Sequence, residues 1–269
     1  MGKSQYIAIA ITALLTLVTF QFCSVQPPDL EEGLVARPSA STGLESLIRS
    51  ARASLTPAQM ATLASLEERL ETQTDDGKRR ELHEQLAGEW YQAGHPAISG
   101  IYARRIADDT NTGEAWSIAA TTFTICLRQE ASDEKTRQFC AEQAVEAYQA
   151  AISLEPDNVD NRINLALTYT DAPSLANPMK GIMMLRDIEK QYPKEVRVYT
   201  TLAQLAIKTG QFEKAAQRLE KAVELTPENP DALCPLARVY ENLGNPEKSA
   251  IFAARCTAVL EQRTAKKQQ

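Results

Sequence analysis

A chain of 269 residues with 43% apolar and 24% charged residues has the composition of a globular protein with one large domain or two small ones. Its formal net charge is −6 and it has no basic run, which argues against nucleic acid as a partner. The two histidines, His83 and His95, form no zinc motif, and no nucleotide-binding or nucleophile motif occurs, so we predict no metal, no cofactor and no catalytic residue.

The first segment of the chain is apolar and predicts a membrane anchor. No charge occurs from Tyr6 to Phe22, and a helix of this length spans roughly 25 Å, enough to cross a bilayer core with help from its flanks. Lys3 precedes the segment and acidic residues follow it, so the positive-inside rule leaves the rest of the chain outside the cytoplasm. We therefore predict a cytoplasmic N-terminus at residues 1–5 and a transmembrane signal-anchor at residues 6–23. The protein would then be a single-pass protein of the bacterial inner membrane, with its C-terminal domain in the periplasm.

Two other fates of this segment stay open. A cleaved secretory signal needs small residues before the cut, and no such pattern occurs near Cys23. A lipoprotein signal needs small residues before its cysteine, whereas Gln21 and Phe22 precede Cys23. The next residues, 24–43, are rich in proline, small residues and charges without a period, and they predict a flexible spacer.

Short helices are predicted within residues 44–78, before the main body of the chain. One begins with Thr56 as its N-cap and Pro57 at its first helical position, and its buried stripe is formed by Leu63, Leu66 and Leu70. A further helix is expected from about Asp75 to Ala93. The helices before it either cap the array that follows or mediate a dimer.

The rest of the chain repeats with a fixed period. Gly210 and Gly244 each stand between two helical patterns and are 34 residues apart, and the same separation joins Pro193 to Pro227. Pro156 precedes Pro193 by 37 residues, because the intervening loop is longer. A period of this size, built as helix, turn and helix, predicts a repeat architecture.

The residues of these repeats resemble the tetratricopeptide repeat family. In the unit from Val196 to Asn229 the family's packing positions are filled by Tyr199, Leu202, Ala203, Ala206, Ala215, Leu219, Ala222 and Pro227. Trp90 and Trp116 occupy packing positions of the first two units, and His83 stands where the family has an aromatic residue.

Five such units cover residues 79–262, followed by a disordered polar tail at residues 263–269. The resemblance implies an all-α fold, a right-handed superhelical solenoid of helix-turn-helix units. The membrane anchor and the short capping helices precede this solenoid.

Four cysteines lie in two pairs that are level across predicted hairpins. Cys126 and Cys140 are equally far from the loop between their helices, and so are Cys234 and Cys256. Facing positions on packed helices can meet the Cα separation that a disulfide needs, and an exported protein favours oxidation. We expect two disulfides, and four small buried thiols are the alternative.

The resemblance also implies a binding surface, since the first helix of each tetratricopeptide unit lines a groove that holds a segment of a partner protein. The groove positions that carry over to this chain are Thr121, Thr124, Ile163, Leu167, Thr170, Arg197, Thr200, Gln204, Lys208 and Arg238. Acidic and polar neighbours such as Glu114, Ser117, Asp160 and Asp231 belong to the same set.

The predicted function is a non-catalytic scaffold, tethered to the membrane and facing the periplasm, that binds a protein or peptide partner of the envelope. A looser resemblance suggests a role in cytochrome c maturation, and other envelope assemblies fit equally well. The rival hypotheses are a self-assembling module, joined through the array ends or the N-terminal helices, and an enzyme, for which no group of catalytic residues is readable. The sequence leaves the oligomeric state open.

Overall fold

The structure, a computed structural model, describes residues 38–129, 133–172, 175 and 179–267, with side chains placed from residue 45 to residue 266. The described residues divide into two compact units, one that ends at Ala53 and one that begins at Ser54. The first contains helix α1 (Pro38–Ala53). The described part of the second contains eleven helices, which are α2 (Pro57–Thr72), α3 (Asp76–Gln92), α4 (Pro96–Thr110), α5 (Gly113–Arg128), α6 (Glu134–Leu154), α7 (Val159–Asp171), α8 (Met179–Gln191), α9 (Val196–Lys208), α10 (Phe212–Leu225), α11 (Pro230–Asn242) and α12 (Pro246–Lys267).

Helix α1 begins earlier than the sequence predicted. Residues 38–43 were assigned to the spacer, but they form the first turns of α1. The first helical turn needs no backbone N–H donor, which suits Pro38, and alanine is the best helix former among the small residues that follow. The predicted membrane span at residues 6–23 lies outside the described residues. Among the helices that the structure describes, none combines the length and the apolar character needed to cross a bilayer.

The second unit is built from helical hairpins, as predicted. The pairs α3–α4, α5–α6, α7–α8, α9–α10 and α11–α12 each pack closely, and each hairpin also packs against the next along the chain. Helix α2 packs on α3 at the N-terminal end of this unit. The side chain of Thr56 caps α2 in a capping box with Gln59, and Leu63 and Leu66 are buried. In this unit α2 therefore has the position of the predicted cap.

A left-handed glycine closes the turn inside three of the hairpins. Gly94, Gly210 and Gly244 have φ values of 83°, 71° and 68°, which a residue with a Cβ rarely adopts. In each case the next residue donates its backbone N–H to a carbonyl oxygen five residues earlier, for example from Gln211 to Ala206 at 2.8 Å. This hydrogen bond is the one that closes the larger ring of the Schellman motif, and the motif terminates the first helix of the hairpin.

A proline turn separates consecutive hairpins in the middle of the array. Pro156, Pro193 and Pro227 each stand second in a four-residue turn whose fourth residue donates its N–H to the carbonyl oxygen of the first. Proline suits this position because its fixed φ matches the turn. The turn's fourth residue then caps the next helix with its side chain, as Asn158 does for α7 and Asn229 does for α11.

The packing positions implied by the family resemblance form the core. Tyr199, Leu202, Ala203, Leu219 and Ala222 are all buried, and they belong to one apolar cluster that extends from α7 to α11. The predicted packing role of the two tryptophans is also confirmed, since both are at least nine-tenths buried. Burial weakens at the end of the array, where Ala253 of α12 is exposed, because no further described helix covers its outer side.

The C-terminal end of the array differs from the prediction. Residues 263–267 continue helix α12 and do not form a disordered tail. Their polar composition was taken to predict disorder, yet four of these five residues are alanine, lysine or arginine, which are good helix formers, and no glycine or proline interrupts the helix. The last two residues lie outside the described part of the chain.

Candidate protein-binding surface

The predicted groove residues fall into three groups. Thr121, Gln204, Lys208 and Arg238 are exposed on the first helices of their units. Leu167, Thr170 and Arg197 are partly exposed. A partner can therefore reach the polar side chains of the first group. Three of these four residues lie on α9 and α11.

Three predicted groove residues are not available to a partner. Ile163 is fully buried and belongs to the main apolar cluster, while Thr124 and Thr200 are only 6% and 7% exposed. The hydroxyl of Thr124 donates to the carbonyl oxygen of Ala120, and that of Thr200 donates to the carbonyl oxygen of Arg197. The prediction that these three residues line the groove was therefore wrong, because their side chains are buried.

Arg197 is accessible but already engaged. Its guanidinium donates to the carboxylate of Asp160 and to the side-chain oxygen of Asn164, both on α7. The contact joins the first helices of two consecutive units, α7 and α9. A partner would have to displace Asp160 before it could use this charge.

The first helices α5 and α7 are joined by polar contacts near both ends. The hydroxyl of Ser117 donates to Asn161 at 2.9 Å, and the guanidinium of Arg128 donates to the carboxylate of Asp171 at 2.8 Å. Asn161 is 3% exposed, and its amide nitrogen has no hydrogen-bond partner among the described residues. These contacts join α5 to α7 near both ends of the two helices.

An open apolar groove lies instead between α3 and α5, above α4. A cavity of about 450 Å³ is lined by Glu84, Ala87, Gly88, Tyr91, Gln92, Ser99, Ala103, Ile106, Ala115, Ile118 and Thr122. Tyr91 also borders a neighbouring cavity, together with Ile125. Tyr91, Ile118 and Ile125 are 49%, 56% and 40% exposed, which is unusual for large apolar side chains that lie together.

Small residues make this groove deep. A Cβ built on Gly88 would meet no atom within 4 Å, so the space above that residue is open. Ala103 and Ser99 of α4 form part of the floor and are nearly buried. The result is a trough with apolar walls and a small-residue floor, which suits apolar side chains of a partner.

This groove was not predicted from the sequence, although the sequence contains a pattern that indicates it. Ile118 and Ile125 are seven residues apart on a helix and therefore share a face. Neither occupies a packing position of the family, so their apolar character was unexplained. Tyr91 follows the buried Trp90 and points to a different side of the same helix.

A second cavity, of about 480 Å³, is polar. Arg79, Arg80, Arg105, Asp76, Asp108, Asp109, His83 and Leu70 line it. His83 is 5% exposed, and its Nδ1 is 3.9 Å from the carboxylate of Asp109 without a hydrogen bond. Burial lowers the pKa of His83, the Arg105 and Arg79 charges lower it further, and Asp109 opposes them. The predicted packing role of His83 agrees with its burial.

Both predicted cysteine pairs are joined in the structure. Cys126 and Cys140 have their Cα atoms 6.0 Å apart and link α5 to α6. Cys234 and Cys256 have theirs 5.2 Å apart and link α11 to α12. Each bond lies within one hairpin, and its formation in the native protein stays a prediction.

Comparison with known proteins identifies a repeat in the C-terminal half. Residues 204–244 match the family model described as TPR repeat. No curated protein matches the chain. Among solved structures, one titled "MamA 41-end from Desulfovibrio magneticus RS-1" is 15% identical with a TM-score of 0.46, over 68% of this chain and 96% of that one. Another, titled "Crystal structure of PilW, widely conserved type IV pilus biogenesis factor", is 17% identical with a TM-score of 0.47, over 70% and 80%.

The matched segment 204–244 runs from α9 through α11 and ends at the turn glycine Gly244. It has the helices, the left-handed glycines and the proline turn described above. Residues 204–244 therefore form a tetratricopeptide repeat.

Proposed function

We propose that this protein is a non-catalytic scaffold that binds a segment of a partner protein on the first helices of its repeats. The observation that carries the proposal is the grouping of Tyr91, Ile118 and Ile125 around an open groove between two consecutive first helices. Large exposed apolar side chains that lie together mark interaction sites in soluble domains. The exposed polar residues Gln204 and Lys208 extend the accessible surface toward the C-terminal repeats.

We further propose that the scaffold is tethered to the bacterial inner membrane and faces the periplasm. The support is the uncharged segment from Tyr6 to Phe22 and the charge difference across it. Tethering raises the effective concentration of the scaffold near membrane-bound partners. Assembly of an envelope complex and a role like that in cytochrome c maturation both fit, and a CxxCH motif in the partner would select the second.

The test is photo-crosslinking of the full chain in its native membrane. A photoreactive residue is placed at Thr122 in the groove, at Gln204 on α9, or at the control position Gln217, which is exposed on the second helix α10. Capture of one partner protein from Thr122 or Gln204, and not from Gln217, is the expected result. Equal capture from all three positions, or none from any, would contradict the proposal.

Self-assembly through the end of the array is the second candidate. Ile251 of α12 is 52% exposed, and Ala254 and Ala258 follow it on the same face of the last described helix. A photoreactive residue at Ala254 that captures a second copy of the chain, with no foreign partner at Gln204, would favour this reading. Light scattering of the purified chain would then show a dimer or a larger assembly.

A further inference from the structure

The groove between α3 and α5 has an uneven distribution of charge. Glu84 lines the cavity, and Glu114 lies one helical turn before Ile118 on the exposed face of α5. Neither carboxylate forms an ion pair with any residue that the structure describes. At the opposite end of the groove, the charge of Arg128 is balanced by Asp171. The groove is therefore apolar along its length and acidic at one end.

The apolar side chains have the spacing of a helical partner. Ile118 and Ile125 are seven residues apart, which is two helical turns or about 10.5 Å along α5. Tyr91 faces them from the other wall of the groove. A partner helix that lies along this groove presents apolar side chains at intervals of three, four and seven residues. The spacing of these side chains therefore matches the spacing of Ile118 and Ile125 on α5.

We propose that the α3–α5 groove binds the apolar face of an amphipathic helix of a partner protein, with lysine or arginine side chains of that helix paired to Glu84 and Glu114. The proposal rests on the proposed function and adds the chemistry of the bound segment. The apolar stripe supplies affinity through burial, and the two carboxylates favour basic over acidic segments and fix which end of the helix lies at the acidic end of the groove.

Two synthetic amphipathic peptides test the chemistry directly. Both carry leucines at helical spacing and a fluorescent label, and their polar positions are all lysine in one and all glutamate in the other. Each is titrated against the full chain held in nanodiscs of zwitterionic lipid, with empty nanodiscs as the blank. Fluorescence polarisation gives the dissociation constants. We expect the lysine peptide to bind about tenfold more tightly, since two partly exposed charge pairs replace two like-charge contacts.

Three variants separate the contributions of charge and apolar contact. A double variant, Glu84→Lys with Glu114→Lys, is expected to reverse the preference in favour of the glutamate peptide. Ile118→Asn removes an apolar contact without adding charge and is expected to weaken both peptides. Ile251→Asn is the matched control, because Ile251 is similarly exposed at 52% but lies on α12, and it is expected to change neither.

The outcomes distinguish this inference from the function on which it rests. Equal binding of both peptides, binding of neither, or a preference that survives the charge reversal would overturn the inference. If the inference fails while the photoreactive residue at Gln204 still captures a partner protein, the scaffold function stands and its partner uses another chemistry. If Gln204 and Thr122 both capture nothing, the scaffold function itself fails.

Discussion

Gly181 of α8 lies directly against Ala166 of α7, so that a Cβ at residue 181 would be 2.2 Å from the carbonyl oxygen of Ala166. It would also be 2.7 Å from the side chain of Thr170. The two helices of this hairpin therefore approach each other as closely as they do only because residue 181 has no side chain. A backbone carbonyl cannot rotate away as a flexible side chain can.

The first prediction concerns this contact. Gly181→Ala is expected to lower the free energy of unfolding by about 3 kcal/mol, because overpacking a close helix contact forces the backbone apart. Urea unfolding followed by circular dichroism measures the change. An unchanged unfolding midpoint would mean that α7 and α8 can separate without loss of packing.

Gly88 supplies the opposite case within the same fold. It lies in the middle of α3, and a Cβ there would meet no atom within 4 Å. Gly88→Ala is expected to raise the free energy of unfolding by about 0.5–1 kcal/mol, since alanine is the better helix former and nothing obstructs it. The same urea experiment tests it. A loss of stability in this variant would show that the groove is narrower than the structure has it.

Repeat architecture could be predicted from sequence because the signals are local and periodic. Gly210, Gly244 and the turn prolines recur at fixed separations, and each has a conformational reason to stand where it does. The binding surface was predicted less well, because exposure depends on how neighbouring units pack. Ile163 and Ile118 are both isoleucines on first helices, yet the first is fully buried and the second is 56% exposed.

Stability is expected to depend on pH through His83. Burial and the nearby Arg105 and Arg79 charges lower its pKa in the folded state, whereas an unfolded histidine titrates near 6.5. Between these two values the unfolded chain binds a proton that the folded chain does not. Stability should therefore be full above about pH 7.5 and fall as the pH falls through 6.5 toward the folded-state pKa.

The histidine variants separate the sources of this effect. Urea unfolding at about pH 8 and about pH 5.5 should show a smaller difference for His83→Gln than for the natural chain. Burial also lowers the pKa of His95, which makes a contact of 2.9 Å with Ser54. His95→Gln is therefore expected to reduce the difference in stability between the two pH values further. An undiminished pH effect in the double variant would assign it to carboxylates instead.

The ion pair between Arg197 and Asp160 is expected to contribute little to stability. Both side chains are partly exposed, at 41% and 66%, so water and salt screen their attraction. A double-mutant cycle with Arg197→Ala and Asp160→Ala should give a coupling energy of about 0.2–1 kcal/mol that declines as salt is added. A larger, salt-independent coupling would mean that the hydrogen bond to Asn164 makes the contact cooperative.

The two disulfides are the last prediction. Alkylation of denatured, unreduced protein from native membranes should leave Cys126, Cys140, Cys234 and Cys256 unlabelled, and reduction before alkylation should expose all four. Mass spectrometry of the labelled peptides reads out each site. Labelling of all four without reduction would contradict both bonds and would leave the buried-thiol alternative.

The energetic consequence of the bonds can be measured separately. A double variant, Cys126→Ala with Cys140→Ala, is expected to lower the free energy of unfolding by about 3 kcal/mol, because a cross-link over 14 residues restricts the unfolded chain. A reductant should also lower the free energy of unfolding of the natural chain. In the double variant, the reductant should act only by breaking the Cys234–Cys256 bond. Because such bonds persist in oxidising compartments, their presence in protein taken from the cell would also support the proposed periplasmic location.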